Sequence, residues 1–323
     1  MDRKVNRFHL ASIVRILVVF PTVFATGCIL RDPLTSSFPE PPPPETLPPV
    51  PMEAGLQVLV LGDWGTGGDG QRALAESIAA THAANPPNFV LTVGDNFYPD
   101  GVQGPDDPMW ESHFESVYEG PFWDRIVFQA ILGNHDHHGV PDAQIEYSDV
   151  SPKWDMPGRY YFVEREVPGG ATALFLALDT EPFSKEDSSA THIQSDWADA
   201  VLDGATADWV VVAGHHPVVT AGWHKSNEDV GTVVWPLIEG RAHLYVSGHN
   251  HSTELLETAI DVPQLVCGGG GGTDNAYRVG DTDGTLTSFT NGGWCMLRFW
   301  PSVMAVDLHD REGGIQYRYL IER

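Results

Sequence analysis

From Leu56 onward the chain alternates short apolar runs with amphipathic stretches. Leu56–Leu61, Phe89–Val93, Ile126–Leu132, Val210–Ala213 and Leu244–Ser247 are runs of four to seven residues rich in Val, Ile, Leu and Phe, the signature of buried strands. Tyr160–Arg165 and Ala173–Leu178 read as two further strands. Between them, Gln71–Ala83, Trp110–Tyr118 and Gln194–Leu202 carry helical composition and spacing. The tail changes character. Gln264–Cys267, Trp294–Phe299, Val303–Leu308 and Gln316–Ile321 follow as strands with no helix between them. Alternation followed by consecutive strands predicts a mixed α/β (α+β) domain with two packed sheets and helices outside.

Five of the early runs end in a polar cluster. They read Gly62-Asp63-Trp64-Gly65, Gly94-Asp95-Asn96-Phe97-Tyr98, Gly133-Asn134-His135-Asp136, Val212-Ala213-Gly214-His215 and Gly248-His249-Asn250-His251. Ligand sites in α/β sheets lie beyond the carboxyl ends of strands, where these clusters fall. Any one of them has an ordinary explanation: Gly-Asp is a common turn, and a lone Tyr or His is commonly a hydrogen-bonded core residue. Carboxylate, phenol, amide and imidazole recurring at five successive strand ends instead describe a site for two metal ions. Tyr98 narrows the choice of metal, because a phenol must lose a proton whose free pKa is near 10 to become a ligand. A hard, highly charged ion such as Fe(III) favours that loss, so Tyr98 points to iron if it is a ligand. Asp136 is expected to orient His135 or a ligand. Gly268 to Gly272 is a glycine run directly after a strand, suited either to close backbone approach or to a mobile turn.

The residue pattern resembles the purple acid phosphatases of the small, tartrate-resistant type, within the calcineurin-like metallophosphoesterases. The resemblance spans residues 56–309 and extends past the motifs into Gly94–Val102, Leu132–Ile145 and Val211–His224. It implies a four-layer sandwich and a binuclear centre in which Asp63, Tyr98 and His251 bind Fe(III) and Asp95 bridges. Asn134, His215 and His249 would bind a divalent Fe, Zn or Mn ion. His135 and His224 match positions near the substrate and would protonate the leaving group. The implied activity is hydrolysis of small phosphate monoesters by a metal-bound hydroxide. The alternatives are a phosphodiesterase or nucleotide hydrolase on the same fold, and a surface-anchored binding protein with a vestigial site. In similar enzymes a loop near Glu181–Thr191, here acidic and expected at the surface, can restrain activity.

Charge and the N-terminus add to this picture. A net charge of −26 over 323 residues argues against nucleic acid as a partner, because the Lys and Arg clusters that neutralise phosphates are missing. It would also repel an anionic ester at long range, although bound cations invert the local field. Arg3, Lys4, Arg7 and Arg15 precede an apolar Ile16–Val23, and Ala25-Thr26-Gly27 places small residues before Cys28. Residues 1–27 are therefore expected to be an export signal of lipoprotein type, with Cys28 as lipid anchor in a bacterial cell envelope; a secretory signal to the periplasm or medium is the alternative. Residues 39–51 hold eight prolines, so 28–54 reads as an extended linker to a catalytic domain at 55–323. Cys267 and Cys295 sit in strand-like runs, as a disulfide pair or as two buried thiols.

Overall fold

The protein is described from a computed structural model covering residues 47–185, 187–271, 280 and 282–323. The leader, Cys28 and most of the proline-rich stretch lie outside the described residues. What remains of that stretch is laid against the domain: Arg318 donates to the Pro48 carbonyl (2.9 Å) and Trp300 Nε1 to that of Glu53 (3.0 Å). Among the described residues no helix is long and apolar enough to cross a membrane.

Two seven-stranded sheets form the centre. In chain order the first contains β1 (Leu56–Leu61), β2 (Phe89–Thr92), β3 (Val127–Gln129), β4 (Trp154–Asp155), and the antiparallel tail β12 (Gly293–Phe299), β13 (Val303–Asp310) and β14 (Ile315–Glu322). The second contains β5 (Tyr161–Val167), β6 (Ala171–Ala177), β7 (Trp209–Ala213), β8 (Leu244–Ser247), β9 (Thr253–Leu256), β10 (Gln264–Cys267) and β11 (Thr285–Phe289). Spatial order is β14-β13-β12-β1-β2-β3-β4 in one sheet and β11-β9-β10-β8-β7-β6-β5 in the other. The pairs β1–β2, β2–β3, β6–β7 and β7–β8 are parallel, so their carboxyl ends point to one edge of the sandwich.

Burial on both faces explains the continuous apolar runs. In β6, Ala173, Phe175 and Ala177 enter the core between the sheets, while Leu174 and Leu176 enter a second core. That second core is closed by α4 (Ser188–Gly204) and α5 (Glu228–Ile238), through Ala198, Leu202, Val230, Val234 and Ile238. On the far side α1 (Asp69–Thr81) buries Leu74, Ala75 and Ile78, and its C-terminal neighbour His82 touches Trp294 and His309 of the first sheet. The expected sandwich of two sheets with outer helices is therefore present.

Several local expectations change. Trp110–Tyr118 is not a regular helix: Trp110–Glu115 forms a widened turn in which the Ser116 amide reaches the Glu111 carbonyl (3.0 Å). Trp110 stacks on Tyr147 there (3.5 Å between centroids), and aromatic packing sets the local path. Glu181–Thr191 is not a surface loop throughout. After the short α2 (Pro141–Glu146), Glu181–Ser184 is a helical turn, α3, with Phe183 buried, and Asp187 caps α4 by accepting from the Ala190 amide. Helix α5 contains three Val and Pro236, poor helix formers, and is held by its Asn227 cap and its apolar face. Cys267 and Cys295 are free, buried thiols. In the glycine run, a Cβ on Gly268 would meet the Asn250 carbonyl and lie 2.7 Å from Asp63 Oδ2, so close approach is its role there.

Candidate metal centre

Each strand-end cluster turns sharply. Asp63, Asp95 and His249 all have left-handed backbone conformations, with φ of 58°, 52° and 68°. Such angles are uncommon outside glycine and cost about 1–3 kcal/mol each, so they persist only where surroundings enforce them. Here the turns enforce one another. The Asp63 amide donates to the Gly94 carbonyl (3.0 Å), the Tyr98 amide to that of Gly65 (2.8 Å), and the Gly248 amide to that of His215 (2.9 Å). The carboxylates join in: Asp63 Oδ2 accepts from the His249 amide (2.9 Å) and Asp95 Oδ1 from the His135 amide (2.9 Å).

This scaffold gathers the side chains into two sets. In the first, Tyr98 Oη stands 3.2 Å from Asp63 Oδ1, 3.0 Å from Asp95 Oδ2 and 3.1 Å from His251 Nε2. In the second, Asn134 Oδ1 lies 3.0 Å from His215 Nε2 and 2.9 Å from His249 Nδ1, and these two nitrogens are 3.2 Å apart. Asp95 Oδ1 completes the second set at 3.4 Å from His215 Nε2. One carboxylate thus offers an oxygen to each. Asp63, Asp95 and His215 alone already bring ligand atoms within 4.8 Å of one another.

The donor chemistry fits cations. Donors about 2.0–2.2 Å from one ion and at right angles to each other are about 3 Å apart, the spacing found in both sets. Asp63 and Asp95 are buried, and their nearest charged partners among the described residues are imidazoles, with no Lys or Arg beside them. Burial pushes the Asp63 carboxyl well up, against the pull of His215. Burial acts likewise on Asp95, but His215 and His135 outweigh it and hold that carboxyl well below its usual range. Burial also drives the Tyr98 phenol well above 10, with Asp63 and Asp95 adding to the effect. The protein alone therefore keeps the phenol protonated, and a phenolate requires a cation beside it.

The imidazoles are prepared differently. His215 Nδ1 faces the Val93 carbonyl at 2.8 Å, which can only accept, so the proton sits on Nδ1 and Nε2 presents its lone pair. When no cation is bound, burial opposes a second proton on His215, yet Asp95 raises its pKa to about 10. His249 is held well below its ordinary value by burial and by the neighbouring His215. His251 falls to about 4, chiefly through burial. Both stay neutral ligands at ordinary pH.

His135 and His224 flank these sets. His135 Nδ1 donates to the Pro99 carbonyl (2.5 Å), which leaves Nε2 outside that bond, and its ring lies 4.6 Å from that of Tyr98. The His224 ring is 4.3 Å from that of His249, and burial lowers its pKa. All nine residues singled out in the sequence converge on this edge.

Asp136 supports the turns next to Asn134 and Asp95 and does not bond the His135 ring. It is buried and accepts from the Gly133 amide (2.8 Å), the Asn96 amide (3.1 Å) and Gln144 Nε2 (2.8 Å), tying two ligand turns together instead of orienting the His135 ring. The sequence reading missed Gln144, Asn250, Glu254 and the pair His137–Asp179. Asn250 was visible within the Gly-His-Asn-His cluster; the others carry no local signal.

The calcineurin-like phosphoesterase family model matches residues 56–253, more than half of the chain. Purple acid phosphatase 7 of Arabidopsis thaliana is 30% identical over 237 residues, covering 68% of this chain and 71% of that protein. Tartrate-resistant acid phosphatase type 5 of Rattus norvegicus is 29% identical over 244 residues, 69% of this chain and 75% of the relative. Among solved structures, GAP50, the anchor in the inner membrane complex of Plasmodium, superposes with a TM-score of 0.72 at 24% identity, over 84% of this chain and 89% of its own, a likeness of fold. The chain belongs to the calcineurin-like phosphoesterases. Within them it sides with the purple acid phosphatases, and it is a hydrolase of phosphoric esters.

Proposed function

We propose that the chain is an acid phosphatase acting on small phosphate monoesters through a mixed Fe(III)–divalent pair, with Fe, Zn or Mn as the divalent ion. Asp63, Tyr98, His251 and one oxygen of Asp95 would hold the ferric ion. The other oxygen of Asp95 with Asn134, His215 and His249 would hold the divalent one. When bound, such a pair supplies Lewis acidity to the phosphoryl oxygens and acidifies water for the attack. The chain's own part in the reaction is to hold the proton for the leaving oxygen on His135 Nε2 or His224. The single observation that carries this reading is the pair of donor sets sharing Asp95, with the Tyr98 hydroxyl inside one of them. An export signal at 1–27, lipidation of Cys28 and a linker over 28–54 belong to the same proposal, which puts the enzyme outside the cytoplasm.

The test is hydrolysis of a generic aryl phosphate monoester by the iron- and zinc-loaded protein, scanned from acid to alkaline pH, beside its visible absorption. An acid optimum and a violet band lost in Tyr98→Phe are expected. A violet band that survives in Tyr98→Phe removes the tyrosine from the site. Activity confined to alkaline pH, or to diesters, sinks the ferric monoesterase in favour of two divalent ions.

A further inference from the structure

His224 stands in the loop between β7 and α5, and a loop is the least precise part of a fold from which to present a proton donor. Asn250 supplies the precision. Its carboxamide grips the His224 backbone in both directions: Oδ1 accepts from the His224 amide (2.7 Å) and Nδ2 donates to the His224 carbonyl (3.1 Å). Nδ2 also donates to Thr220 Oγ1 (2.8 Å) at the start of the loop. That hydroxyl in turn donates to Glu254 Oε2 (2.9 Å), which accepts from the Ala221 amide as well (2.7 Å). Asn250, Thr220 and Glu254 are all buried. Gly222 lets the loop lie close on the amide, since a Cβ there would come within 2.5 Å of Asn250 Cγ.

The grip starts from the turn that bears two proposed ligands, His249 and His251. The shape of that turn rests on main-chain bonds: the Asn250 amide donates to the Gly248 carbonyl (2.8 Å), the Ser252 amide to the Asn250 carbonyl (2.7 Å), and the Gly268 amide to the Ser252 carbonyl (2.9 Å). The Asn250 side chain takes no part in them, and its own bonds lead to the loop. A carboxamide carries an acceptor and donors side by side, so it satisfies the N–H and C=O of one residue at once. At the far end the His224 ring rests 4.3 Å from that of His249, a member of the second donor set. The backbone of His224 is thus fixed against the same turn over which its ring lies.

Resting on the phosphatase reading, we propose that Asn250 is the positioning residue for His224, holding the imidazole where it can protonate the leaving oxygen. As the P–O bond breaks, its electron pair goes to that oxygen and the proton comes from the imidazolium of His224, which is left neutral. Asn250 touches no reacting atom in this scheme. Its loss therefore spares the metals and falls on turnover, most of all where the departing oxygen is basic enough to need the proton.

The test compares Asn250→Ala, His224→Ala and the double variant as full-length, iron- and zinc-loaded protein. The substrates are 4-nitrophenyl phosphate, whose leaving group departs readily as the anion, and phenyl phosphate, whose leaving group is more basic. Asn250→Ala is expected to keep wild-type metal content and a KM within about twofold, and to lose about 10–100-fold in kcat on phenyl phosphate but less than about fivefold on 4-nitrophenyl phosphate. The double variant should be no slower than His224→Ala, because residues that act as one unit do not add. Asn250→Asp keeps the acceptor but sets a second acceptor against the His224 carbonyl, so it should not rescue. Should Asn250→Ala fail to fold, Thr220→Val, which removes the hydroxyl that fixes the amide, should show the same split at smaller size. Equal loss on both esters, losses that multiply in the double variant, or a fall in metal content would overturn the inference. Hydrogen exchange over residues 220–225 should quicken in Asn250→Ala, and unchanged exchange would overturn the grip itself. Quickened exchange in a protein whose wild type turns over no monoester would sink the phosphatase reading and leave the grip on His224 standing.

Discussion

Removing His137 should cost the protein more than its partly exposed position suggests, and by an amount that depends on pH. His137 Nε2 lies 2.9 and 3.0 Å from the two oxygens of Asp179. The pair joins the Asn134–His135 turn of the first sheet to the end of β6 in the second. Asp179 is 2% exposed, and Gln194 pins its backbone through both amide and carbonyl (2.8 Å each). Without His137, the carboxylate keeps, among the described residues, only the Glu181 amide at 3.3 Å. Breaking a buried pair costs about 3–5 kcal/mol, and the partial exposure of His137 trims this to about 2–4 kcal/mol. Burial would lower the pKa of His137, but the hydrogen bond and charge of Asp179 outweigh it and raise it. A base whose folded pKa exceeds the unfolded value near 6.5 stabilises fully below 6.5, and that contribution fades as pH climbs through the raised value.

The assay is urea denaturation of wild type, His137→Ala, Asp179→Ala and the double variant at fixed metal concentration, at pH 5.5 and pH 9. The cycle should give a coupling of about 1.5–3 kcal/mol at pH 5.5, the range of a charged hydrogen bond, and clearly less at pH 9. Additive single losses at pH 5.5, or a coupling that stays constant with pH, would refute the reasoning.

Two further outcomes follow from the same geometry. Gly133→Ala would drive a Cβ into the Asp95 amide and carboxylate, so metal content by elemental analysis should fall below half of wild type; full loading would falsify that account of the turn. His82 accepts from Trp294 Nε1 (3.0 Å), and burial, with help from His309 and Arg298, lowers its pKa to about 4. A base depressed on folding destabilises as pH falls from 6.5 toward 4, by about 2–3 kcal/mol for a shift of this size. His82→Gln keeps an acceptor and should flatten that part of the stability profile; an unchanged slope would rule His82 out.

The two sheets and eight of the nine candidate residues were legible in local pattern, whereas His224 lies outside the strand-end clusters and rested on the family resemblance alone. A strand buried on both faces must be apolar throughout, and a sharp turn after it leaves few residue choices, so Gly62-Asp63 and Gly94-Asp95 announce themselves. What escaped depends on partners far along the chain. Asp136 reaches back to Asn96, Glu254 to Thr220 and Asp179 to His137, separations of 34 to 42 residues. Composition also misled where packing overrode propensity, as in the Val-rich α5 and the widened turn at Trp110. The segment Glu181–Thr191 read as loop because its acidic face is polar, while one side chain, Phe183, settles its path.

The strained turns explain why fold and site cannot be separated here. Asp63, Asp95 and His249 sit in left-handed backbone that none of them prefers, and each is stabilised by a group from another cluster. The Gly94 carbonyl holds the amide of Asp63, whose carboxylate holds the amide of His249. Asp95 Oδ1 meanwhile holds the turn that presents Asn134 and His135. The atoms proposed to grip the cations are therefore also the atoms that shape their neighbours' backbones. Loss of one carboxylate should disturb ligands in both donor sets, whereas loss of a terminal imidazole such as His251 leaves every one of these backbone bonds intact. A graded metal-retention series, with Asp95→Ala poorest and His251→Ala mildest, is what such interlocking requires, and equal retention across the series would mean that the turns hold their shape without the carboxylates.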